Sequence, residues 1–520
     1  MIFNDAAKMT RPPRAAQFLV RSWRLRSRTV RVAVTVAWIV LIAFESVARA
    51  DEFSDDLGAR RARVMARLGA DTMLILWSAP ARRYSRDVDY EYRQDSNLYY
   101  LTGLTQEGTI LALMPGNTSH REILFVKDRD PVQEHWRGRA LSVDEARLRT
   151  GIDVVLAASQ FEPFVAGMLS RKGTATIRAD EASAFFNALS AERAHIALTI
   201  ESSQDPADPV QPLRFVQRMR DEFGAFDTTN ATAIFEDLRT VKTPYERTVL
   251  VRSLEISSDA QRAGMRAAKP KAYEYEVKAA IEAVHRGRGA VSWSYPSIVG
   301  SGPNATILHY PDGDRQMQAG DLLLVDAACN YGYMSGDITR TYPVSGTFST
   351  RQRDVYNIVL QAQTEGIKAA TPGATLQAVH AKTVEVIKAG LLRLGLITDP
   401  TGEQYRLWYT HSASHYIGID VHDVGSRSRP LQAGMAFTIE PGLYVRQSAL
   451  DGLPRTPANI ALIEKIQPAV QKYADIGVRL EDSFLLEETG LQNLSASVPT
   501  TIEQIESFLS TRTAGAAAGR

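Results

Sequence analysis

Gly320-Asp321-Leu322-Leu323-Leu324-Val325-Asp326-Ala327-Ala328-Cys329-Asn330-Tyr331-Gly332-Tyr333-Met334-Ser335-Gly336-Asp337-Ile338-Thr339-Arg340-Thr341 is the stretch of this 520-residue chain on which its fold turns. An apolar run, an Asn-Tyr-Gly turn signal and a second run make a β-hairpin. With the turn centred between Tyr331 and Gly332, Asp326 and Asp337 stand opposite each other, and cross-strand neighbours lie roughly 5 Å apart at Cβ. Two carboxylates that close in a largely apolar strand pair resist ionisation unless something positive lies between them. A pair of hard cations answers that need. Two acids facing solvent fit the hairpin, taken alone, equally well.

Three later segments bear on the choice. Ala436-Phe437-Thr438-Ile439-Glu440-Pro441-Gly442 puts Glu440 at the end of an apolar strand, where a Pro-Gly turn begins. Gly477-Val478-Arg479-Leu480-Glu481-Asp482 alternates, so Arg479 and Glu481 share one strand face. Between His411 and Asp423, a mostly apolar, Gly-containing stretch holds His411, His415 and His422, three of the nine histidines in the chain. That density points to metal ligation or proton transfer.

These motifs, the Asp-x10-Asp hairpin, the His-x3-His-x6-His-Asp segment, the Glu-Pro-Gly-Leu-Tyr turn and the Arg-x-Glu-Asp strand, resemble in type and order the aminopeptidase P branch of the pita-bread metallopeptidases. The resemblance covers most of residues 238–509. Arg93-Gln94-Asp95-Ser96-Asn97-Leu98-Tyr99-Tyr100-Leu101-Thr102-Gly103-Leu104 also looks like a segment of the first domain of such proteins. By periodicity alone it reads as a polar turn followed by a strand.

The resemblance implies a site and a reaction. Asp326, Asp337, His415, Glu440 and Glu481 would hold two divalent cations, with Asp337 and Glu481 bridging both. Four carboxylates and one imidazole suit Mn²⁺, with Zn²⁺ or Co²⁺ as substitutes. Water activated between the ions would attack the scissile carbonyl, and Glu440 would shuttle the proton. His309, His411 and His422 match histidines that position substrate and stabilise the transition state. Arg427 and Tyr444 match substrate-contacting residues, and Tyr444 and Arg479 also look like partners of the ligands. The implied activity is release of the first residue from short peptides with proline in second position. A prolidase, cleaving only dipeptides, and a non-catalytic scaffold of the same fold are the alternatives; relatives are commonly homo-oligomers. In three places the chain departs from the family: Ser412 stands where glycine is usual, the stretch from His422 to Arg427 is shorter than usual, and the spacing of 41 positions from Glu440 to Glu481 points to an insertion within Gln447–Asp475, a loop that could reshape the substrate pocket.

Away from these motifs, the chain reads as a two-domain α/β (α+β) protein. From Phe53 to about Asp227, strand-like runs (Thr72–Trp77, Thr109–Met114, Glu122–Val126, Ile196–Ile200) alternate with helical stretches (Leu57–Leu68, Val143–Arg149). Residues 51–237 form the expected first domain and 238–509 the catalytic one. Helices are expected over Pro244–Ala268, Tyr273–His285 and Thr350–Ala370. The tail 510–520 is small and polar and reads as disordered.

In residues 1–50, five arginines between Arg21 and Arg31 precede an uncharged run from Val32 to Phe44, and Ala48-Arg49-Ala50 offers a cleavage pattern. This reads as a signal peptide for periplasmic or secreted export; a membrane anchor is the alternative, but the run falls short of the roughly 20 residues of a spanning helix. The segment holds nine Lys/Arg against Asp5 and Glu45, so the overall +1 becomes −6 without it. Nothing in the remainder resembles a nucleic-acid footprint. Cys329 is the sole cysteine, which excludes an intrachain disulfide; its place in an apolar strand marks it as buried.

Overall fold

The computed structural model describes residues 52–200 and 210–517, so the expected leader lies outside the described residues. An opening helix over residues 52–65 leads into a six-stranded sheet ordered Val154–Ala157, Glu122–Val126, Ile110–Leu113, Thr72–Trp77, Ala194–Leu198, Phe226–Asn230. Strand Thr72–Trp77 runs antiparallel to Ile110–Leu113 and parallel to Ala194–Leu198. Because side chains alternate along a strand, its apolar run serves two cores. Met73 and Ile75 pack with Phe161, Phe164 and Phe215. Leu74 and Leu76 belong to a second core that includes Leu250, Leu254, Tyr333 and Ile417 of the following domain. The junction between domains is thus a continuous hydrophobic core. The expected boundary at 237/238 falls inside the helix Thr232–Thr240.

The segment Arg93–Gly103 is not a turn and strand. It is the helix Ser96–Thr102, whose N-cap Asp95 accepts the Leu98 N–H at 2.7 Å and which ends at Gly103 with φ +63°. Caps at both ends, with Leu98, Tyr100 and Leu101 buried, outweigh the β preference of Tyr-Tyr-Leu-Thr. The strand expected at Ile196–Ile200 lies two residues earlier, at Ala194–Leu198.

In the catalytic domain, Thr243 and Glu246 form a capping box with Pro244 in the first turn, and the helix runs Pro244–Ala267. Helices Glu274–Gly287, Thr350–Ala369 and Leu376–Leu394 pack around short antiparallel sheets. The strand Leu322–Asp326 lies between Ile298–Ser301 and Thr339–Pro343. Ala436–Ile439 pairs with Asp482–Glu487, and Gly442–Val445 with Ile476–Arg479. Cys329 is buried, its thiol against Ser253 and Ser257.

The hairpin forms with a different register. Its tip is Gly332-Tyr333, both at positive φ (+54° and +63°), the conformation of a two-residue primed turn. Asn330 therefore pairs with Ser335, and Asp326 with Thr339 rather than with Asp337. The pairing has slipped by two residues, and since faces repeat every two, Asp337 keeps its face and lies diagonal to Asp326. It sits in a break between Met334–Ser335 and Thr339–Pro343.

Residues 447–475 build the helices Ser448–Asp451 and Pro457–Tyr473, with Ile466, Val470 and Tyr473 buried in the main core. The last helix, Ile502–Ala517, runs through most of the tail expected to be disordered; alanine at 514 and 516–517 favours continuing a helix already anchored by Ile502, Ile505 and Leu509. No helix of the described residues is long and apolar enough to cross a membrane.

Candidate active site and metal-binding cluster

Four acidic side chains converge because each sits where an apolar strand ends or breaks, and the loop carrying His415 brings its imidazole to them. Asp326 ends its strand, Asp337 occupies the hairpin break, Glu440 follows Ala436–Ile439, and Glu481 lies between Ile476–Arg479 and Asp482–Glu487. Ligand atoms of Asp326, Asp337 and Glu481 lie within 4.8 Å of one another, as do those of His415, Glu440 and Glu481, so Glu481 is common to both groups. His415 Nε2 stands 3.4 Å from Asp337 Oδ2, 3.5 Å from Glu440 Oε1 and 3.8 Å from Glu481 Oε1. Its other nitrogen, Nδ1, is 3.0 Å from the Tyr416 carbonyl, which can only accept, so Nδ1 carries a proton in either charge state of the ring and Nε2 is the nitrogen turned to the acids.

The cluster carries surplus negative charge. Burial, then Glu481 and Asp326, push the Asp337 carboxyl well above the usual range. Burial and Glu481 do the same to Glu440. Burial raises Asp326 in spite of the Arg479 guanidinium. Glu481 goes the other way: burial opposes its charge, but His415, Arg479 and Thr339 together hold it below its ordinary value. Burial would strip a proton from His415, yet the surrounding acids hold its pKa well above normal. One buried oxygen, Glu481 Oε1, has no hydrogen-bond partner. An orphaned carboxylate oxygen, crowded acids and an inward Nε2 fit divalent cations, and the oxygen-rich donor set suits hard ones.

A hydrogen-bonded chain stiffens this arrangement. His411 Nδ1 donates to the Ser412 carbonyl at 2.9 Å, leaving Nε2 to accept from the Tyr444 hydroxyl at 2.8 Å. Arg479 Nη1 donates to that hydroxyl at 2.9 Å, its Nη2 to Asp326 Oδ2 at 2.6 Å and its Nε to Thr339 Oγ1 at 3.2 Å. Thr339 Oγ1 in turn donates to Glu481 Oε2 at 2.7 Å. Burial and Arg479 lower His411 to about 3, so its ring is neutral. Tyr295 was not singled out from sequence, yet its hydroxyl is 2.5 Å from both Asp326 Oδ1 and Asp337 Oδ1. A tyrosine in Ser-Tyr-Pro-Ser carries no spacing signal for such a role, and the same holds for Thr339.

A cavity of about 460 Å³ opens over the cluster, and His309, His411, His422 and Arg427 join the five residues in its lining. The His422 ring lies 4.4 Å from that of His415, and burial with the nearby charge of His415 lowers it to about 4. His309 and Arg427 are exposed at the mouth. Tyr444, expected on the substrate, is instead buried behind His411 and does not line the cavity. No residue from 447 to 475 lines it; the helices of that segment pack against the main core.

With this geometry in place, comparison with known proteins becomes specific. Residues 249–488 match metallopeptidase family M24, and residues 58–177 match the aminopeptidase P N-terminal domain. The Xaa-Pro aminopeptidase of Haemophilus influenzae is 31% identical over 464 residues, covering 88% of this chain and 97% of the relative. That of Escherichia coli is 32% identical over 86% of this chain and 96% of its own length. Among solved structures, an aminopeptidase of Pseudomonas aeruginosa superposes with a TM-score of 0.75 at 30% identity, covering 89% of this chain and 99% of that one. Aminopeptidase P from E. coli with the inhibitor Pro-Leu gives 0.74 at 30% identity over the same shares. The chain, with an N-terminal α/β domain before a pita-bread metallopeptidase domain, belongs to the aminopeptidase P proteins of metallopeptidase family M24.

Proposed function

We propose that this metalloaminopeptidase releases the first residue from short peptides with proline in second position, using two Mn²⁺ ions held by Asp326, Asp337, His415, Glu440 and Glu481. The observation that carries the reading is the convergence of those five residues with His309, His411 and His422 on one cavity, in a chain that also has the aminopeptidase P amino-terminal domain. The inhibitor seen in the E. coli relative, Pro-Leu, has the form of the product left when a residue before proline is removed. Four carboxylates and one imidazole favour Mn²⁺ over softer ions.

Two cations bound there supply Lewis-acid polarisation of the scissile carbonyl and a lowered pKa for water. The side chains supply the rest. Glu440 Oε2, 3.6 Å from His411 Nδ1, takes the proton lost by the attacking water and returns it to the proline nitrogen as the C–N bond breaks. His422, neutral near pH 7, offers one N–H to the oxygen on which charge develops. The His411–Tyr444–Arg479 chain holds Asp326 in place directly and Glu481 through Thr339. His309 and Arg427, at the mouth, meet the peptide beyond the proline. The leader read in residues 1–50 supports action after export, and homo-oligomerisation is expected by analogy with relatives.

Hydrolysis of Arg-Pro-Pro, Arg-Ala-Pro and Ala-Pro by residues 51–520, after chelation and after Mn²⁺ is added back, tests the reading. Metal-restored release of arginine from Arg-Pro-Pro alone is expected. Cleavage of Ala-Pro only would make the protein a prolidase, and equal cleavage of Arg-Ala-Pro would remove the proline specificity.

A further inference from the structure

A second charged cluster lies where the two domains meet, at the end of the His415–Asp423 loop, and its Asp423 reaches the lining of the cavity above the metal-ligating cluster. Arg239, near the end of the helix Thr232–Thr240, is 1% exposed. Its Nη1 donates to Asn97 Oδ1 of the amino-terminal domain at 2.8 Å, and its Nη2 to Asp420 Oδ2 at 2.7 Å and Asp423 Oδ1 at 2.6 Å. Lys242 Nζ takes the other Asp423 oxygen at 2.6 Å and the Arg239 carbonyl at 2.6 Å. From the amino-terminal domain, Ser96 Oγ donates to Asp420 Oδ1 at 2.9 Å and Arg93 Nη2 to the Ile419 carbonyl at 2.7 Å. The loop also closes on itself, Asp423 N–H to the Tyr416 carbonyl at 2.9 Å.

His422 lies between the two anchored aspartates. No hydrogen bond from a described residue orients its imidazole; it packs edge-on against the His415 ring at 4.4 Å, and the backbone on either side sets where it stands over the cavity. A group that must meet a developing charge within a few tenths of an ångström depends on whatever fixes that backbone.

We propose that Arg239 is a positioning residue for the peptidase reaction: by bonding Asn97, Asp420 and Asp423 at once, it lets the amino-terminal domain set where His422 stands over the metal-ligating cluster. This rests on the role given to His422 above. The helix Ser96–Thr102 then has a catalytic consequence although it does not line the cavity above the cluster. It holds one side of the clamp, and the hydrophobic junction between the domains holds the clamp rigid. Guanidinium geometry is what the task requires, since one planar fork reaches three acceptors on two domains, which an ammonium cannot do.

The test is a double-mutant cycle between Asn97→Ala, which releases Arg239 on the amino-terminal side, and His422→Ala, read on the metal-loaded protein with Arg-Pro-Pro. Asn97→Ala is expected to lower kcat about tenfold with KM changed less than about twofold. Metal content by mass spectrometry stays that of the parent. In the His422→Ala background the same substitution changes kcat by less than about twofold, because the group it displaces is gone. If Asn97→Ala does not fold, Arg239→Lys is read the same way. The proposal is overturned if kcat is unchanged in the parent background, if the full penalty persists without His422, or if bound metal is lost. A His422→Ala variant with the parent's kcat would instead remove the role assigned to His422, and the proposal with it.

Discussion

Two charged clusters meet the loop that carries His415 and His422, and they are built on opposite principles. The clamp at the domain boundary is balanced: Asp420 and Asp423 face Arg239, Lys242 and Arg93, and both Asp423 oxygens are bonded. The cluster under the cavity is not. Four carboxylates there share one guanidinium and one imidazole, three of the four are driven up in pKa, and one oxygen is orphaned. A protein that leaves charge unbalanced in its interior loses stability unless a ligand supplies the missing charge. The contrast separates a site built for cations from an ion-pair network built for position.

The comparison can be broken most severely at Glu481, which belongs to both ligand groups. Glu481→Gln is expected to lower kcat/KM about a thousandfold or more, the several kcal/mol of charge stabilisation that a bound cation supplies, together with bound metal. Steady-state assays beside metal analysis check it. In the balanced cluster, Lys242→Met leaves Asp423 short of a partner and should cost about 3 kcal/mol in denaturant unfolding while metal content is retained.

The third prediction has opposite signs in two states. Asp337 has a folded pKa well above its ordinary 3.8, so in chelated protein its ionised form is a penalty at pH values above the folded pKa, relieved as pH falls toward 3.8. Asp337→Asn should therefore stabilise the chelated protein near neutral pH, by about 1 kcal/mol or more, and this advantage should shrink on acidification. With Mn²⁺ present the same variant should be less stable than the parent, since it has lost a ligand. Thermal unfolding with and without chelator, across pH, reads all three parts. The smallest effect belongs to the rim of the clamp: Arg93 is 44% exposed, and Arg93→Ala should change stability by about 1 kcal/mol or less.

What sequence conveyed and what it hid divide along the same line. The five cluster residues were legible as a set through the order of their motifs, which resembles the family's; taken singly, an acid at the end of an apolar strand reads equally well as a solvated one. Helices were legible where caps announce them, as Thr243 with Glu246 does at the start of Pro244–Ala267. The hairpin register was missed because Tyr333, a residue with no preference for positive φ, takes the second turn position. It is held there by a stack on Tyr99 at 3.8 Å between ring centroids and by the Gln94 N–H donating to its hydroxyl at 3.1 Å. The same packing made a helix of Ser96–Thr102. The clamp stayed hidden for a different reason: Arg239 and Asn97 are 142 positions apart, and a balanced ion-pair network leaves no local anomaly.

The most direct test of the central claim is the number of metal ions bound per chain after exhaustive chelation and re-equilibration with Mn²⁺, measured by mass spectrometry on the parent and on Glu481→Gln. Two ions per parent chain, and fewer than one per Glu481→Gln chain, is the predicted result. A parent that binds none, or a Glu481→Gln variant that still holds two, would contradict the reading of the unbalanced cluster as a dinuclear metal centre.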